Sequence, residues 1–469
     1  MMDTATAARA VAGTLFGENV RFDRVTTDSR ALEAGDLFVA LRGERFDGHD
    51  FVKEAFARGA AAAVVASDRA GALANRVTGS FVAVTDPVAA LAALAAFWRP
   101  RFALPVAAIV GSNGKTTVKE MTAAILRAQF GAHAVLATAG NLNNHIGLPL
   151  TVLGLRGEHC AAALEIGMNH RGETAALSAI AQPTIAIITN AQREHQEFMH
   201  SVAEVAAEHA AVVGVLPHAG AAVINADDPH AAVWRQAIAR RNADGAAIER
   251  REFALDAAAP FRARYRVEAW GSTVEIETPT GATRFELHAA GRHNVANVLA
   301  AVAGATAAGA GLDAVRNALS SFRPVPGRLE AKTAPDGTVV IDDTYNANPD
   351  SVRAAIGVLA SAPGERWLVL GDMGEVGAEG GAFHREIGEY ARAAGIDRLF
   401  AIGQLTVDTA AAFGRDAEHL ASVEELILAL RTRLPGARAG LTLLVKGSRF
   451  MRMERVVAAL TGETPDGAH

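Results

Sequence analysis

The run Gly111-Ser112-Asn113-Gly114-Lys115-Thr116-Thr117 follows the apolar stretch Pro105 to Val110. A strand, a glycine turn and a helix opening on Lys-Thr-Thr make a phosphate cradle. Glycine at 111 and 114 lets the backbone bend and approach a ligand, so that successive N–H groups and a helix N-terminus face anionic oxygens. Lys115 would then reach the β- and γ-phosphates, and the Thr116 hydroxyl would take Mg²⁺. The full pattern has a glycine where this chain has Ile109, so the match is the shorter G-x-x-G-K-T-T form. The bland alternative is a glycine turn with an incidental lysine. Glu165 closes a second apolar run, where a carboxylate would stand as a further Mg²⁺ ligand or as an exposed strand end. His195, His200 and His209 match no zinc signature, and no Gly-x-Ser-x-Gly elbow supports a serine nucleophile.

With 469 residues, 50% hydrophobic and 20% charged, the chain is ordinary globular material with room for roughly two to four domains. Its net charge of −6 and lack of a sustained basic block leave no footprint for nucleic acid. Cys160 is the single cysteine, which excludes an intramolecular disulfide framework and fits a reducing compartment. Neither a signal peptide nor an apolar run of membrane-spanning length is evident, so a cytoplasmic protein without a membrane partner is expected.

The elements that must position these residues alternate. Residues 1–87 read as a small α/β domain with strands at Asp36 to Leu41, Ala60 to Ala66 and Phe81 to Val84, and polar residues at the turns between them. A central domain over 88–325 begins with a connecting helix from Val88 to Arg99. Strands follow at Ala134 to Ala137, Ala161 to Ile166, Ile185 to Thr189 and Ala222 to Asn225, with helices between. This alternation predicts a parallel sheet whose ligands bind at the carboxyl ends of the strands. Between Phe261 and Leu287 the period switches to two, an antiparallel excursion turning at Thr278 to Gly281. The Pro-rich segment Arg323 to Arg328 reads as a linker. Residues 326–469 repeat the strand-helix pattern from Val339, as a second doubly wound unit without its own phosphate loop.

Several phrases resemble the Mur ligases, in the order seen in that family. They are Val110 to Met121, Gly140-Asn141-Leu142-Asn143-Asn144, Glu165 to His170, Gly291 to Asn297, Gly327-Arg328, Asp342 to Pro349, Gly371-Asp372-Met373 and Lys446 to Arg449, with Asp28-Ser29-Arg30 and Asp47-Gly48-His49 ahead of them. The resemblance spans nearly the whole chain. It implies an α/β protein of three domains: one for a UDP-sugar peptide, a central P-loop parallel-sheet ATPase domain, and a Rossmann-like C-terminal domain that closes over ATP. Within the family the Asn-Leu-Asn-Asn and Tyr-Asn-Ala-Asn-Pro wording is most similar to the branch that joins D-alanyl-D-alanine to UDP-N-acetylmuramoyl-tripeptide through an acyl phosphate. Branches adding diaminopimelate, lysine or glutamate share that mechanism. A nucleotide-dependent switch ATPase is the rival of another class, and two further substrate-sized domains speak against it.

Carried over residue by residue, the resemblance assigns Gly111 to Thr117 to the nucleotide. Lys115, Glu165 and His195 become the catalytic group, and Thr116, Glu165 and His195 the metal ligands. Asn294 and Asn297 would lie near adenine, while Arg328, Asp343, Tyr345, Asn346 and Asn348 would reach the nucleotide from the third domain. Ser29, Arg30, Asp47, His49, Asn143 and Asn144 would face the UDP-sugar substrate, and Lys446 and Ser448 the acceptor. The enzyme would work as a monomer with ATP and Mg²⁺. Many family members carry a lysine carbamate near the position of His209, yet no lysine occurs between Lys119 and Lys332. Glu208 is the expected oxygen donor in its place, unless it lies on a solvated helix face and water completes the metal shell.

Overall fold

The computed structural model describes residues 1–434, 437 and 440–463. The apolar run before the cradle is the strand Val106–Val110, inside a nine-stranded sheet. Val106, Ala108 and Val110 join one apolar cluster, while Ala107 and Ile109 join the one on the opposite face. A parallel strand between two helical layers needs both faces apolar, and this one has them. It pairs in parallel with Ala161–Glu165 on one side and Ile185–Ile188 on the other. Val135–Ala137 lies beyond the first. Ala221–Asn225, Glu249–Ala254 and Phe261–Glu268 continue the sheet beyond the second. The chain leaves Val106–Val110 toward one edge and later crosses to the other, so the crevice at the carboxyl ends opens beside this strand.

Phe261–Glu268, Gly271–Thr278 and Gly281–Leu287 form an antiparallel meander. Charged Arg262, Arg264 and Arg266 alternate with less exposed positions there, as a sheet wetted on one face requires.

The N-terminal sheet runs Thr14–Phe16, Ser80–Val84, Ala62–Ala66, Asp36–Val39 and Arg24–Thr26. Pro87–Trp98 follows as a helix whose first turn is fixed by Pro87 and by Asp86, which accepts from the Val88 N–H at 2.8 Å. This connecting helix is a shared wall. Leu91, Leu94 and Trp98 belong to one continuous cluster with Val64 and Val82 of the first domain and Leu148 and Leu164 of the second.

The third sheet runs Glu330–Thr333, Val339–Asp343, Thr442–Lys446, Arg366–Gly371, Arg398–Ile402 and Ala417–Leu420. Apart from the first strand it is parallel, with an apolar cluster on each face. Asp343 and Lys446 end two adjacent strands, and the Asn348 capping box starts the helix Pro349–Ala360 immediately downstream. Among the described residues no helix is long and apolar enough to cross a membrane.

Candidate active site

The cradle forms where the sequence places it, and its two glycines are required. Gly111 has φ +135°, and a Cβ there would stand 2.0 Å from Thr189 Oγ1. Gly114 has φ +83°, and its Cβ would meet Asn297 Oδ1 at 2.4 Å. The helix Lys115–Phe130 then starts without a side-chain cap, so its first N–H groups are free to serve an anion. Neighbouring residues mould the turn from outside. The Asn113 N–H donates to Asn190 Oδ1 (2.9 Å), the Asn113 carbonyl accepts from Thr189 Oγ1 (2.8 Å), and Ser112 Oγ accepts from the Gln192 N–H (2.9 Å).

Lys115 Nζ folds back onto the Gly111 and Ser112 carbonyls and lies 3.4 Å from Glu194 Oε2. Glu165, 3% exposed at the end of its strand, accepts from Asn143 Nδ2 at 2.7 Å through Oε1, while its buried Oε2 has no partner. Asn143 therefore orients the carboxylate. Asn144 caps the helix Gly147–Leu153, its Oδ1 accepting from the Ile146 and Gly147 N–H groups.

The third domain reaches the loop directly. Arg328 Nη2 donates to Thr116 Oγ1 at 2.8 Å, with its guanidinium 4.1 Å from the centre of the Tyr345 ring. Asn348 Nδ2 donates to Asn113 Oδ1 at 3.0 Å. These contacts close a cavity of about 1190 Å³, lined by Ser112 to Thr117, Glu165, Glu194, His195, Asn294, Asn297, Asp343 and Asn346 among others. Asn297 Nδ2 donates to Asn294 Oδ1, and both residues are buried along this wall.

Other assigned residues also carry contacts within their own domains. Lys446 lines the cavity, is buried, and donates to Asp343 Oδ2 (2.6 Å) and the Asn346 carbonyl (2.8 Å), which ties the two strand ends together. Ser448, also buried, accepts from the Gly374 N–H and donates to the Ala347 carbonyl. His49 Nε2 accepts from the Ala66 N–H at 2.9 Å, and Nδ1 faces Asp47 Oδ1 at 2.5 Å, so the pair pins a turn to a strand end. Ser29 and Arg30 form a short turn capped by Asp28, with the Arg30 side chain paired to Asp28 in solvent. Ser29, Arg30, Asp47 and His49 lie on the first domain and are not among the residues that line the cavity.

Glu208 is corrected. Its carboxylate accepts from the Gly172 (2.9 Å) and Thr174 (2.8 Å) N–H groups at the start of the helix Glu173–Ala181. His209 is the residue that turns inward, where Nε2 lies 3.1 Å from Glu194 Oε1. Glu194, Arg193 and Glu375 also line the cavity, and the sequence reading missed them. His195 Nδ1 is 2.7 Å from Glu375 Oε2, a contact that holds the Glu375 carboxyl below its usual range. Burial disfavours charge on Arg193, but Asp350 and Glu386 outweigh it and push its pKa above the ordinary value.

The sequence and the fold both match known proteins. The Mur ligase family, catalytic domain, matches residues 21–99; the Mur ligase middle domain matches 109–305; and the Mur ligase, glutamate ligase domain, matches 327–449. The UDP-N-acetylmuramoyl-tripeptide–D-alanyl-D-alanine ligase of Escherichia coli (strain K12) is 42% identical over 452 residues, covering 96% of each chain. The ligase of the same description from Bacillus subtilis (strain 168) is 33% identical, covering 97% of each. A crystal structure of MurF from Acinetobacter baumannii superposes with a TM-score of 0.87 at 31% identity, covering 98% of this chain and 99% of that one. MurF ligase from Thermotoga maritima in complex with ADP gives 0.78 at 27% identity, covering 94% and 97%. Three domain matches that fall on the three large sheets, and a phosphate loop closed from the third domain, place this chain in the Mur ligase family.

Proposed function

We infer that this chain joins D-alanyl-D-alanine to UDP-N-acetylmuramoyl-tripeptide with cleavage of ATP, a step in making peptidoglycan precursor. The observation that carries it is the phosphate loop with Lys115, facing a cavity that Arg328 and Asn348 close from another domain. Full-length likeness to ligases of that description supports the choice of substrates, and the ADP complex of the Thermotoga maritima relative supports the nucleotide.

A carboxylate is a poor electrophile at neutral pH. Transfer of the γ-phosphoryl group to the tripeptide carboxylate forms an acyl phosphate and releases ADP; the dipeptide amine then attacks, and the tetrahedral intermediate expels phosphate. Such a sequence needs positioning and charge neutralisation from the protein, not a protein nucleophile. The N–H groups of Gly111 to Thr117 wrap the phosphates, Lys115 balances charge on the transferring group, and Arg328 and Asn348 close the site against water that would hydrolyse the acyl phosphate.

Thr116, Glu165 and His195 would hold Mg²⁺, which when bound neutralises phosphate charge. The partnerless buried oxygen of Glu165 fits that role. Mg²⁺ takes one or two carboxylates and fills its shell with phosphate and water, so a full side-chain cage is not needed. On the first domain, the turns of Ser29, Arg30 and Asp47 would face the UDP-sugar.

The test is phosphate release from ATP with UDP-N-acetylmuramoyl-tripeptide and D-alanyl-D-alanine, leaving out each in turn. Release is expected only with all three. Turnover without the UDP-sugar would overturn the ligase reading, and preference for diaminopimelate, lysine or glutamate in an acceptor panel would move the chain to another branch.

A further inference from the structure

Three consecutive ionisable residues stand where the middle and third domains meet. Arg193 reaches Asp350 Oδ1 and Glu386 Oε2 of the third domain, each at 2.6 Å, and His195 meets Glu375 of the same domain. Glu194, between them, turns the opposite way. It is 6% exposed, with Oε1 on His209 Nε2 at 3.1 Å and Oε2 at 3.4 Å from Lys115 Nζ and 3.8 Å from His195 Nε2. Its carboxylate thus stands among three basic side chains inside the protein.

His209 has no other evident task. It is 1% exposed on the helix Val202–Gly214, flanked on the inner face by Val205, Ala206 and Val212, and its Nδ1 has no partner. A buried N–H without an acceptor costs more than a lone pair without a donor, so the arrangement assigns the proton to Nε2, which donates to Glu194. A buried histidine whose polar contact is this carboxylate fixes where the carboxylate points.

We propose that Glu194, held by His209, is the positioning residue of Lys115: it keeps the ammonium at the phosphate loop, yields it to the phosphates when nucleotide arrives, and through Arg193 and His195 ties that position to the seating of the third domain. This rests on the ATP-dependent reading above. In this structure Lys115 is shared between Glu194 and two backbone carbonyls. A polyphosphate outbids a single carboxylate for the ammonium, but the carboxylate remains a competitor in the ground state. It is also what stops the flexible lysine from wandering during transfer, where placement governs the rate. Loss of the charge therefore has opposite effects on the two stages.

The test is Glu194→Gln in the full-length chain, measuring ADP binding by calorimetry in EDTA and kcat for phosphate release at saturating ATP. ADP is expected to bind at least threefold more tightly, while kcat falls at least tenfold and the thermal midpoint stays near that of the unaltered protein. Weaker ADP binding with lower kcat would mark a merely structural residue, and unchanged kcat would mark an idle one; either overturns the proposal. If the Gln variant does not fold, His209→Gln and His209→Leu are compared. Gln keeps a donor toward Glu194 and is expected to restore kcat that Leu loses, whereas equal rates overturn the proposal. Absence of ATP turnover in the unaltered protein would instead refute the ligase reading.

Discussion

Arg328 Nη2 donates to Thr116 Oγ1 at 2.8 Å across 212 positions of sequence. One residue ends the interdomain segment and the other sits in the first turn of the phosphate-loop helix, so this bond exists only when the third domain is seated over the loop. Arg328→Ala removes it together with the stacking on Tyr345. A hydrogen bond from a charged donor is worth about 1.5–3 kcal/mol, so kcat is expected to fall roughly 10- to 100-fold. Single-turnover phosphate release with an unchanged thermal midpoint checks it, and full activity would show that closure does not use this contact.

Lys115→Ala is expected to abolish ligation in a chain that still folds, because the ammonium contacts two loop carbonyls and Glu194 at the cavity, not a core. Losing one such group from the transition state costs roughly 3 kcal/mol or more. Near-normal turnover at saturating ATP, with circular dichroism showing an intact fold, would refute the phosphate-loop assignment.

The cradle was legible because glycine, lysine and threonine at that spacing after an apolar run have few other uses, and Glu165 was legible as a carboxylate closing the neighbouring strand. Glu194 was not. Gln192-Arg193-Glu194-His195-Gln196-Glu197 reads as a solvated charged loop, and only folding brings it to His209, 15 positions on, and to Lys115, 79 positions back. The choice between Glu208 and His209 was nevertheless available. Adjacent helical residues point about 100° apart, and His209 lies four positions after Val205 and three after Ala206, on the face buried in the core. Helical periodicity thus turned His209 inward and left Glu208 to cap a neighbouring helix. The third-domain contacts were legible as motifs, but not as a division of labour. Arg328 and Asn348 touch the loop, while Lys446 and Ser448 brace the loops behind it.

Activity is expected to be independent of bicarbonate. The family resemblance puts the lysine carbamate of many members near His209, where this chain has no lysine and an imidazole forms no stable carbamate; Glu194 supplies a buried carboxylate beside it. Phosphate release should therefore be equal in CO₂-depleted buffer and in the same buffer with bicarbonate restored. Strong stimulation on restoration would show a carbamate elsewhere, with Lys115 the first residue to examine.

His293 makes stability depend on pH in a predictable direction. Its ring lies beside Gly291 and Val358, at the join between the middle and third domains. Desolvation there, with Asp343 pulling upward and Lys446 downward, holds its pKa at about 4 against an ordinary 6.5. Between those values the unfolded chain binds a proton at this site that the folded chain does not. Stability rises with pH wherever the unfolded state binds more protons. This histidine therefore lowers stability progressively as pH falls from 6.5 toward 4, and adds no further slope below. His293→Gln removes that component while the other titrating groups keep theirs. The urea midpoint of the variant should thus fall less than that of the unaltered protein between pH 7 and pH 4.5. Parallel pH profiles for the two proteins would show that the imidazole is solvated and the join between the domains more open than in this structure.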